Sequence, residues 1–212
     1  MKRIEKAAKL AAEIFREIAK YIKPGISEMA LAEKIESRIK TRGLKRSFRT
    51  IVASGSNAAK PHAALTQRRI RHRDVVVVDF GVVYRGERSD MTRTVFVGTP
   101  NALMKRMLRA VRGAQLMAIR AVKPGIRISY LAKKAHDFLR KKGFGRNILH
   151  SLGHGIGKKV HESPKLSEKN RNILKKGMVI TIEPGLYVKG KGGVRIEDML
   201  LVTQNSGRIL TQ

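Results

Sequence analysis

Asp79, Asp90, His154, Glu183 and Glu197 are the residues whose types and settings could do chemistry in this chain. Sixteen acidic residues stand against forty-six lysines and arginines, a formal net charge of +30. Four of those scarce acids lie in or beside strongly apolar, strand-like runs, where a carboxylate is costly unless something cationic meets it. A pair of divalent ions is the simplest partner for four carboxylates and an imidazole. The settings are Val75-Val76-Val77-Val78-Asp79-Phe80-Gly81, Ser89-Asp90-Met91-Thr92-Arg93-Thr94, Gly153-His154-Gly155-Ile156-Gly157, Thr181-Ile182-Glu183-Pro184-Gly185 and Gly193-Val194-Arg195-Ile196-Glu197-Asp198. Each alone is weak; five in one chain point to a two-metal site.

The elements that must position these residues come in two similar sets. Ile22-Lys23-Pro24-Gly25-Ile26 matches Val122-Lys123-Pro124-Gly125-Ile126, and the match continues through Leu31/Leu131, Ala32/Ala132, Lys34/Lys134 and Gly43/Gly143. The offset of one hundred residues marks an internal duplication, with halves at about 1–100 and 101–212. Apolar stripes of helical period run through Ile4, Ala7, Ala8, Ala11, Phe15, Ile18 and Ile22, and through Leu103, Met107, Ala110, Ala114, Met117, Ala118 and Ala121. Pro24 and Pro124 stop these helices, Ser27 suits the cap of the next one, and Gly43 and Gly143 suit left-handed positions after the second helix of each half. Strands are expected at 50–53, 75–84 and 92–97, and again at 148–152, 179–182 and 194–202. His62 corresponds to His161. Asp79 closes an apolar strand as Glu183 does, and Asp90 opens one as Glu197 does. Two such halves, packed about a pseudo-two-fold axis, would each bring two carboxylates and a histidine to the centre. The fold class is therefore α+β, with antiparallel sheet covered by helices.

Composition narrows the class further. Apolar content is that of a soluble globular domain. The chain has no cysteine, which excludes disulfides and thiolate ligands and favours hard oxygen donors. The first twenty-two residues are interrupted by charges and do not read as a signal peptide, and no segment has the length of a membrane span, so a cytoplasmic protein is expected. The basic charge is spread along the chain, with one dense cluster at Arg68, Arg69, Arg71, His72 and Arg73. It implies non-specific association with nucleic acid or the ribosome, or a proteome-wide lysine and arginine bias.

In order and spacing these motifs resemble the catalytic domain of the pita-bread metallopeptidases, the group of methionine aminopeptidases, Xaa-Pro aminopeptidases, prolidases and creatinases. The resemblance runs from about residue 4 to residue 210, and all five ligand positions are filled. Asn57 to Ala63, Ser-Asp-Met-Thr-Arg-Thr at 89–94, Val-His-Glu-Ser-Pro at 160–164 and Gly-Gly-Val-Arg-Ile-Glu-Asp at 192–198 are similar to the Xaa-Pro aminopeptidase and prolidase branch. The resemblance implies that Asp79 chelates one metal, Asp90 and Glu197 bridge both, and His154 and Glu183 complete the other site. It implies that His62 and His161 stand near the substrate, that Glu183 moves a proton, and that Arg195 orients ligands from behind. Two ions are expected: Mn(II) on ligand hardness and resemblance, with Co(II), Fe(II) and Zn(II) as alternatives.

The activity so implied is removal of the N-terminal residue of short peptides, ahead of proline, by a metal-bridging hydroxide. Alternatives are methionine aminopeptidase-like processing of nascent chains, a creatinase-like hydrolase, and a non-enzymatic RNA- or ribosome-binding module. The resemblance also admits a homodimer. Relatives on the Xaa-Pro branch usually carry an additional amino-terminal domain; here one catalytic domain over 1–212, without a separate amino-terminal one, is expected. Arg49 replaces a common acid, and Lys158 and Lys159 replace a common Leu-Glu pair; the ligands are untouched. Tyr84 and Tyr187 read as wall or core residues, His72 as solvated, and His136 and His150 have no motif behind them.

Overall fold

A computed structural model describes residues 1–212. The first half begins with α1 (Lys2–Ile18), which ends in a 3-10 turn at Ala19–Tyr21, and α2 (Glu28–Thr41). Then follow β1 (Lys45–Arg46), β2 (Ile51–Ser54), β3 (Val75–Phe80), β4 (Val82–Tyr84), β5 (Glu87–Arg88) and β6 (Met91–Phe96). The second half repeats the plan with α3 (Ala102–Ala121) and α4 (Ile128–Lys141). Its strands are β7 (Gly153–Gly155), β8 (Glu162–Leu166), β9 (Val179–Ile182), β10 (Gly185–Val188), β11 (Gly192–Arg195), β12 (Asp198–Val202) and β13 (Gly207–Ile209).

The duplication extends to individual hydrogen bonds. Gly25 N–H donates to the Ile70 carbonyl at 2.9 Å, and Gly125 N–H donates to the Leu174 carbonyl at the same distance. Ile70 N–H returns to Ile26, as Leu174 N–H returns to Ile126. Gly25 and Gly125 both have positive φ, at +95° and +82°, which is what the Lys-Pro-Gly turn requires of its glycine. Gly43 and Gly143 take left-handed conformations after α2 and α4, and Ser27 Oγ accepts from Ala30 N–H, both as the sequence predicts.

All strand pairs are antiparallel, and the two larger sheets run β2-β3-β6 and β13-β12-β9-β7-β8. β3 explains why an all-apolar run is needed. Val76, Val78 and Phe80 pack under α1 and α2, while Val75 and Val77 join the other core beneath α3 and α4. A strand buried on both faces cannot alternate polar and apolar residues. Asp79 shares the face of Val75 and Val77 by strand alternation, so it is turned away from the first helix pair and towards the second half. The halves are joined along β6. Glu197 N–H donates to the Thr92 carbonyl, Thr94 Oγ1 both donates to and accepts from the Arg195 backbone, and Arg93 pairs with Asp198 at 2.8 Å.

Three expected strands differ. The run 75–84 breaks at Gly81 into β3 and β4, because the chain there passes the Ser89 carbonyl so closely that a methyl group at Gly81 would lie 1.8 Å from it. The run 194–202 breaks at Ile196-Glu197 into β11 and β12. The run 148–152 is not a strand: Leu149 is exposed, and the ladder begins only at β7. Leu152 alone of the run is fully buried and bonds through its backbone to Leu166 and Glu183, leading into β7.

Gly81 lies between β3, which carries Asp79, and the Ser89-Asp90 corner, so it sets how closely two carboxylates approach. Gly81→Ala is expected to cost about 1–3 kcal/mol by overpacking. It is also expected to weaken metal binding; urea denaturation and metal titration of the same variant check both.

Candidate metal centre

Strand ends bring the five residues together. Asp79 is in β3, Asp90 precedes β6, His154 is in β7, Glu183 follows β9 and Glu197 precedes β12. Asp90, His154 and Glu197 each present a ligand atom within 4.8 Å of the others. Glu183 joins through His154, whose Nε2 lies 3.3 Å from Glu183 Oε1 and 3.7 Å from Asp90 Oδ2. His154 Nδ1 is 3.0 Å from the Gly155 carbonyl. With Nδ1 donating to that carbonyl, Nε2 faces the carboxylates: in the ion-free protein it carries the proton shared with Glu183, and once that proton leaves, its lone pair is the one offered to a cation.

Asp79 is held differently. Its Oδ2 accepts from Arg195 Nη2 at 2.5 Å, and its Oδ1 is buried with no hydrogen-bond partner. Glu197 repeats the pattern: Oε2 accepts from Thr92 Oγ1 at 2.7 Å, and Oε1 is buried and unpartnered. Buried polar atoms are nearly always satisfied, and leaving a charged oxygen without a partner costs more than a lost neutral bond. Two orphaned carboxylate oxygens in one centre are what a cation-binding site looks like before its cation is considered. The donor set of four carboxylates and one imidazole fits a hard or borderline divalent ion.

The electrostatics agree with this. Burial raises Asp90 and Glu197 well above the carboxylate range, helped by the neighbouring carboxylates. Asp79 is raised too, chiefly by burial, although Arg195 opposes the shift. Burial also acts to raise Glu183, but its hydrogen bond to His154 and the charges of His150, His154 and Arg195 carry it below its ordinary value. Burial lowers His154, and the hydrogen bond and charge of Glu183 together with Asp90 more than reverse it, so the net is upward.

Arg195 frames the centre. It donates through Nε to Thr92 Oγ1 at 3.1 Å and through Nη1 to the Pro61 carbonyl at 3.0 Å and to Tyr187 Oη at 2.8 Å. Tyr187 Oη is in turn 2.8 Å from His150 Nε2, and His150 Nδ1 is 2.8 Å from the Ser151 carbonyl. Burial pushes the Tyr187 phenol up to about 12 and lowers His150. A chain of donors therefore runs from Tyr187 through neutral His150 to Ser151. Thr181 completes the frame by accepting from His154 N–H and donating to Glu183. Sequence reading missed Thr92, Thr181, Tyr187 and His150 as parts of the frame. Two of them carried a signal: Thr92 is two residues from Asp90 and Thr181 two from Glu183, hence on the same strand faces.

His62 and His161 are exposed at the mouth. The His161 ring lies edge-on to His154 with centroids 4.4 Å apart. Burial lowers His161, with the charges of His154 and His62 adding to the effect. The loop of His62 is tied by Arg195 at Pro61 and by Glu28, a buried carboxylate accepting from Ser54 N–H, Asn57 Nδ2 and Thr66 Oγ1. Of the basic cluster at 68–73, Arg68 is spent on Asp74 and Ser54 and Arg69 on the Gly25 carbonyl. His72 is exposed as expected, and His136, without a motif, pairs with Glu168.

Comparison with known proteins agrees with this geometry. The model of metallopeptidase family M24 matches residues 2–204. The chain belongs to that family. It is 41% identical over 210 residues to a Xaa-Pro dipeptidase of Pyrococcus furiosus, covering 99% of this chain and 60% of the relative. The prolidase structure from Pyrococcus furiosus superposes with a TM-score of 0.97 at 40% identity, over 100% of this chain and 63% of that one. An X-Pro aminopeptidase from Thermotoga maritima gives 0.96 at 36% identity, over 100% and 60%. The pita-bread fold is thereby established, and the chain spans about three-fifths of the length of these relatives. No helix is long and apolar enough to cross a membrane.

Two outcomes follow from the M24 centre. Raised Asp90 and Glu197 mean that the ion-free folded protein holds more protons than the unfolded chain. That contribution to stability is present at low pH and is lost as pH rises through their folded values. A divalent ion must displace those protons and the one on His154, so the rise in Tm on adding Mn(II) is expected to be larger at pH 8 than at pH 5.5. Calorimetry across that range checks it. Tyr187→Phe leaves one Arg195 donor unpaired and is expected to cost about 1–3 kcal/mol, with weaker metal binding, read by denaturation and metal titration.

Proposed function

We propose that this chain carries the active site of a dinuclear-metal-dependent exopeptidase that removes the N-terminal residue of short peptides when proline follows the cleaved bond. The observation that carries this reading is the convergence of four carboxylates and an imidazole whose Nε2 faces them on one buried centre, with two carboxylate oxygens left unpartnered. The names Xaa-Pro dipeptidase, prolidase and X-Pro aminopeptidase among its relatives support the proline preference.

In this reading Asp79, Asp90, His154, Glu183 and Glu197 would hold the ions, Asp79 towards one and His154 with Glu183 towards the other, with Asp90 and Glu197 between them; Mn(II) is favoured on ligand hardness. Bound there, two ions supply a water that is deprotonated near neutral pH and positive charge for the developing oxyanion. Glu183, kept ionised by His154 and Arg195, would serve as the proton carrier of the reaction, taking a proton from the attacking nucleophile and passing it to the leaving amine. Thr181 orients it through Oε1. Arg195 holds Asp79 from behind, so that only Oδ1 faces the centre. His62 and His161, exposed at the mouth and without side-chain hydrogen bonds of their own, bind the substrate carbonyl or carry protons there.

Asp90→Ala and Glu197→Ala are each expected to lower kcat/KM at least about a thousandfold and to abolish binding of a second ion. His62→Ala should keep the metal and turn over slowly. Metal-free protein reloaded with Mn(II) is offered Xaa-Pro peptides beside Met-initiated controls. Release of the residue before proline is the expected result. Release of Met alone would assign the chain to nascent-chain processing. No release with any of Mn(II), Co(II), Fe(II) or Zn(II), despite two bound ions, would overturn the hydrolytic reading.

A further inference from the structure

The duplication supplies an internal control for surface charge. α1 and α3 occupy equivalent places in the two halves, and each carries five lysines and arginines. α1 offsets them with Glu5, Glu13 and Glu17, whereas α3 contains no acid. At the offset of one hundred, those three glutamates become Lys105, Gly113 and Met117. Glu13 and Glu17 pair with Arg42, and Glu5 pairs with Arg208. The cations of neither helix take part in an ion pair, so the contrast lies in the acids: α1 places three carboxylates among its cations and α3 none. A general lysine and arginine bias would act on both helices alike; it does not account for the loss of every acid from one of them.

Both helices align their cations, but the row on the α1 side, Lys2, Lys6, Lys9, Arg16 and Lys20, is broken by Glu13, whereas no acid interrupts the one on α3. Lys105, Arg109, Arg112, Leu116 and Arg120 follow one another at steps of four, three, four and four residues, which places them in a single row. All five are exposed. At 1.5 Å per residue the row is about 22 Å long. Like charges one turn apart weaken a helix, so folding alone does not call for this pattern. α4, packed beside α3, has Asp137 as its one acid, and that acid is engaged by Lys133 and Arg140.

We propose that the row on α3 docks the phosphate backbone of a nucleic-acid duplex. Regularly spaced charges on a rigid rod match a polymer of regularly spaced phosphates. Three of its four cations are arginines, whose guanidinium forks pair with phosphate oxygens in a bidentate way. The row has no aromatic residue on which unpaired bases could stack, which favours a duplex over a single strand. A membrane surface would call for an apolar face alongside the charges; beside the row stand exposed Leu116, half-buried Met117 and Phe138, and Tyr130 of α4, and the vesicle arm of the test measures what they add. This inference is independent of the peptidase reading, because none of these side chains belongs to the metal centre.

The test compares two variants of the full chain with the same loss of net charge: Lys105→Gln/Arg109→Gln/Arg112→Gln/Arg120→Gln on α3, and Lys2→Gln/Lys6→Gln/Lys9→Gln/Lys20→Gln on the α1 side. Fluorescence anisotropy with 20-base-pair DNA and RNA duplexes over a salt series reads affinity and its salt dependence. Circular dichroism confirms that both variants are folded. The α3 variant is expected to bind about tenfold more weakly or worse, with a salt slope smaller by about 3 to 4, as four lost phosphate contacts require. The matched variant should change by less than about twofold, and the DNA and RNA arms show which duplex is preferred. A single change, Leu116→Glu, deletes no cation but sets an acid one turn from Arg112 and Arg120; about threefold weaker binding is expected. Equal losses in the two quadruple variants would overturn the proposal in favour of undirected net charge. No duplex binding by the wild type at low salt would overturn it too. So would a row-dependent preference for phosphatidylserine-containing vesicles over both duplexes.

Discussion

Four carboxylates share one buried space with a single guanidinium and one imidazole, and this imbalance governs the centre of the molecule. Arg195 neutralises part of Asp79, but its remaining donors are committed to Thr92, Pro61 and Tyr187. His154 faces Asp90 and Glu183. The balance must come from protons or from cations, since an uncompensated buried ion costs several kcal/mol. Raised carboxylates and orphaned oxygens are two expressions of the same deficit. The M24 identity of the chain says which of the two remedies such centres are built for.

The rest of the fold can be understood as the apparatus that keeps those acids close against their repulsion. Antiparallel ladders deliver them at strand ends, where the backbone is rigid and the side chains still reach a common point. β3 is apolar on both faces because helices cover both sides, and this double cover removes water from Asp79. Gly81 lets the chain turn within contact distance of Ser89 and so admits Asp90 to the cluster. Arg195 ties the framing residues of one half to the His62 loop of the other.

Much of this was legible in the sequence, for identifiable reasons. Acids are scarce, so an Asp ending a run of valines stands out, and the exact repeat of Lys-Pro-Gly exposes the duplication and thereby the pairing of Asp79 with Glu183 and Asp90 with Glu197. Their position at strand ends followed from that pairing. Breaks within strands were not legible, because an apolar run reports burial and not hydrogen-bond pairing. Gly81 and Ile196-Glu197 interrupt ladders without interrupting the core. In 148–152 three apolar residues suggest a strand, yet Leu149 is exposed and only Leu152 is bonded into the sheet. The Tyr187–His150 chain was hidden because its two members are thirty-seven residues apart in sequence and neither lies in a ligand motif; they meet only in the folded protein. The arginine cluster misled in the opposite direction: side chains that look free in sequence are partly consumed by Asp74, Ser54 and a backbone carbonyl.

The centre lies on the seam between the halves, with Asp79 and Asp90 on one side and His154, Glu183 and Glu197 on the other. An ion held by both sides would therefore be a removable crosslink between segments far apart in sequence, from the pair Asp90 and His154 to the pair Asp79 and Glu197. Such a tether closes long loops between the halves and stabilises only conformations in which they are docked. Metal availability would then set how often the seam opens, and with it the exposure of β3 and β6 to proteases, as well as whether the site can react.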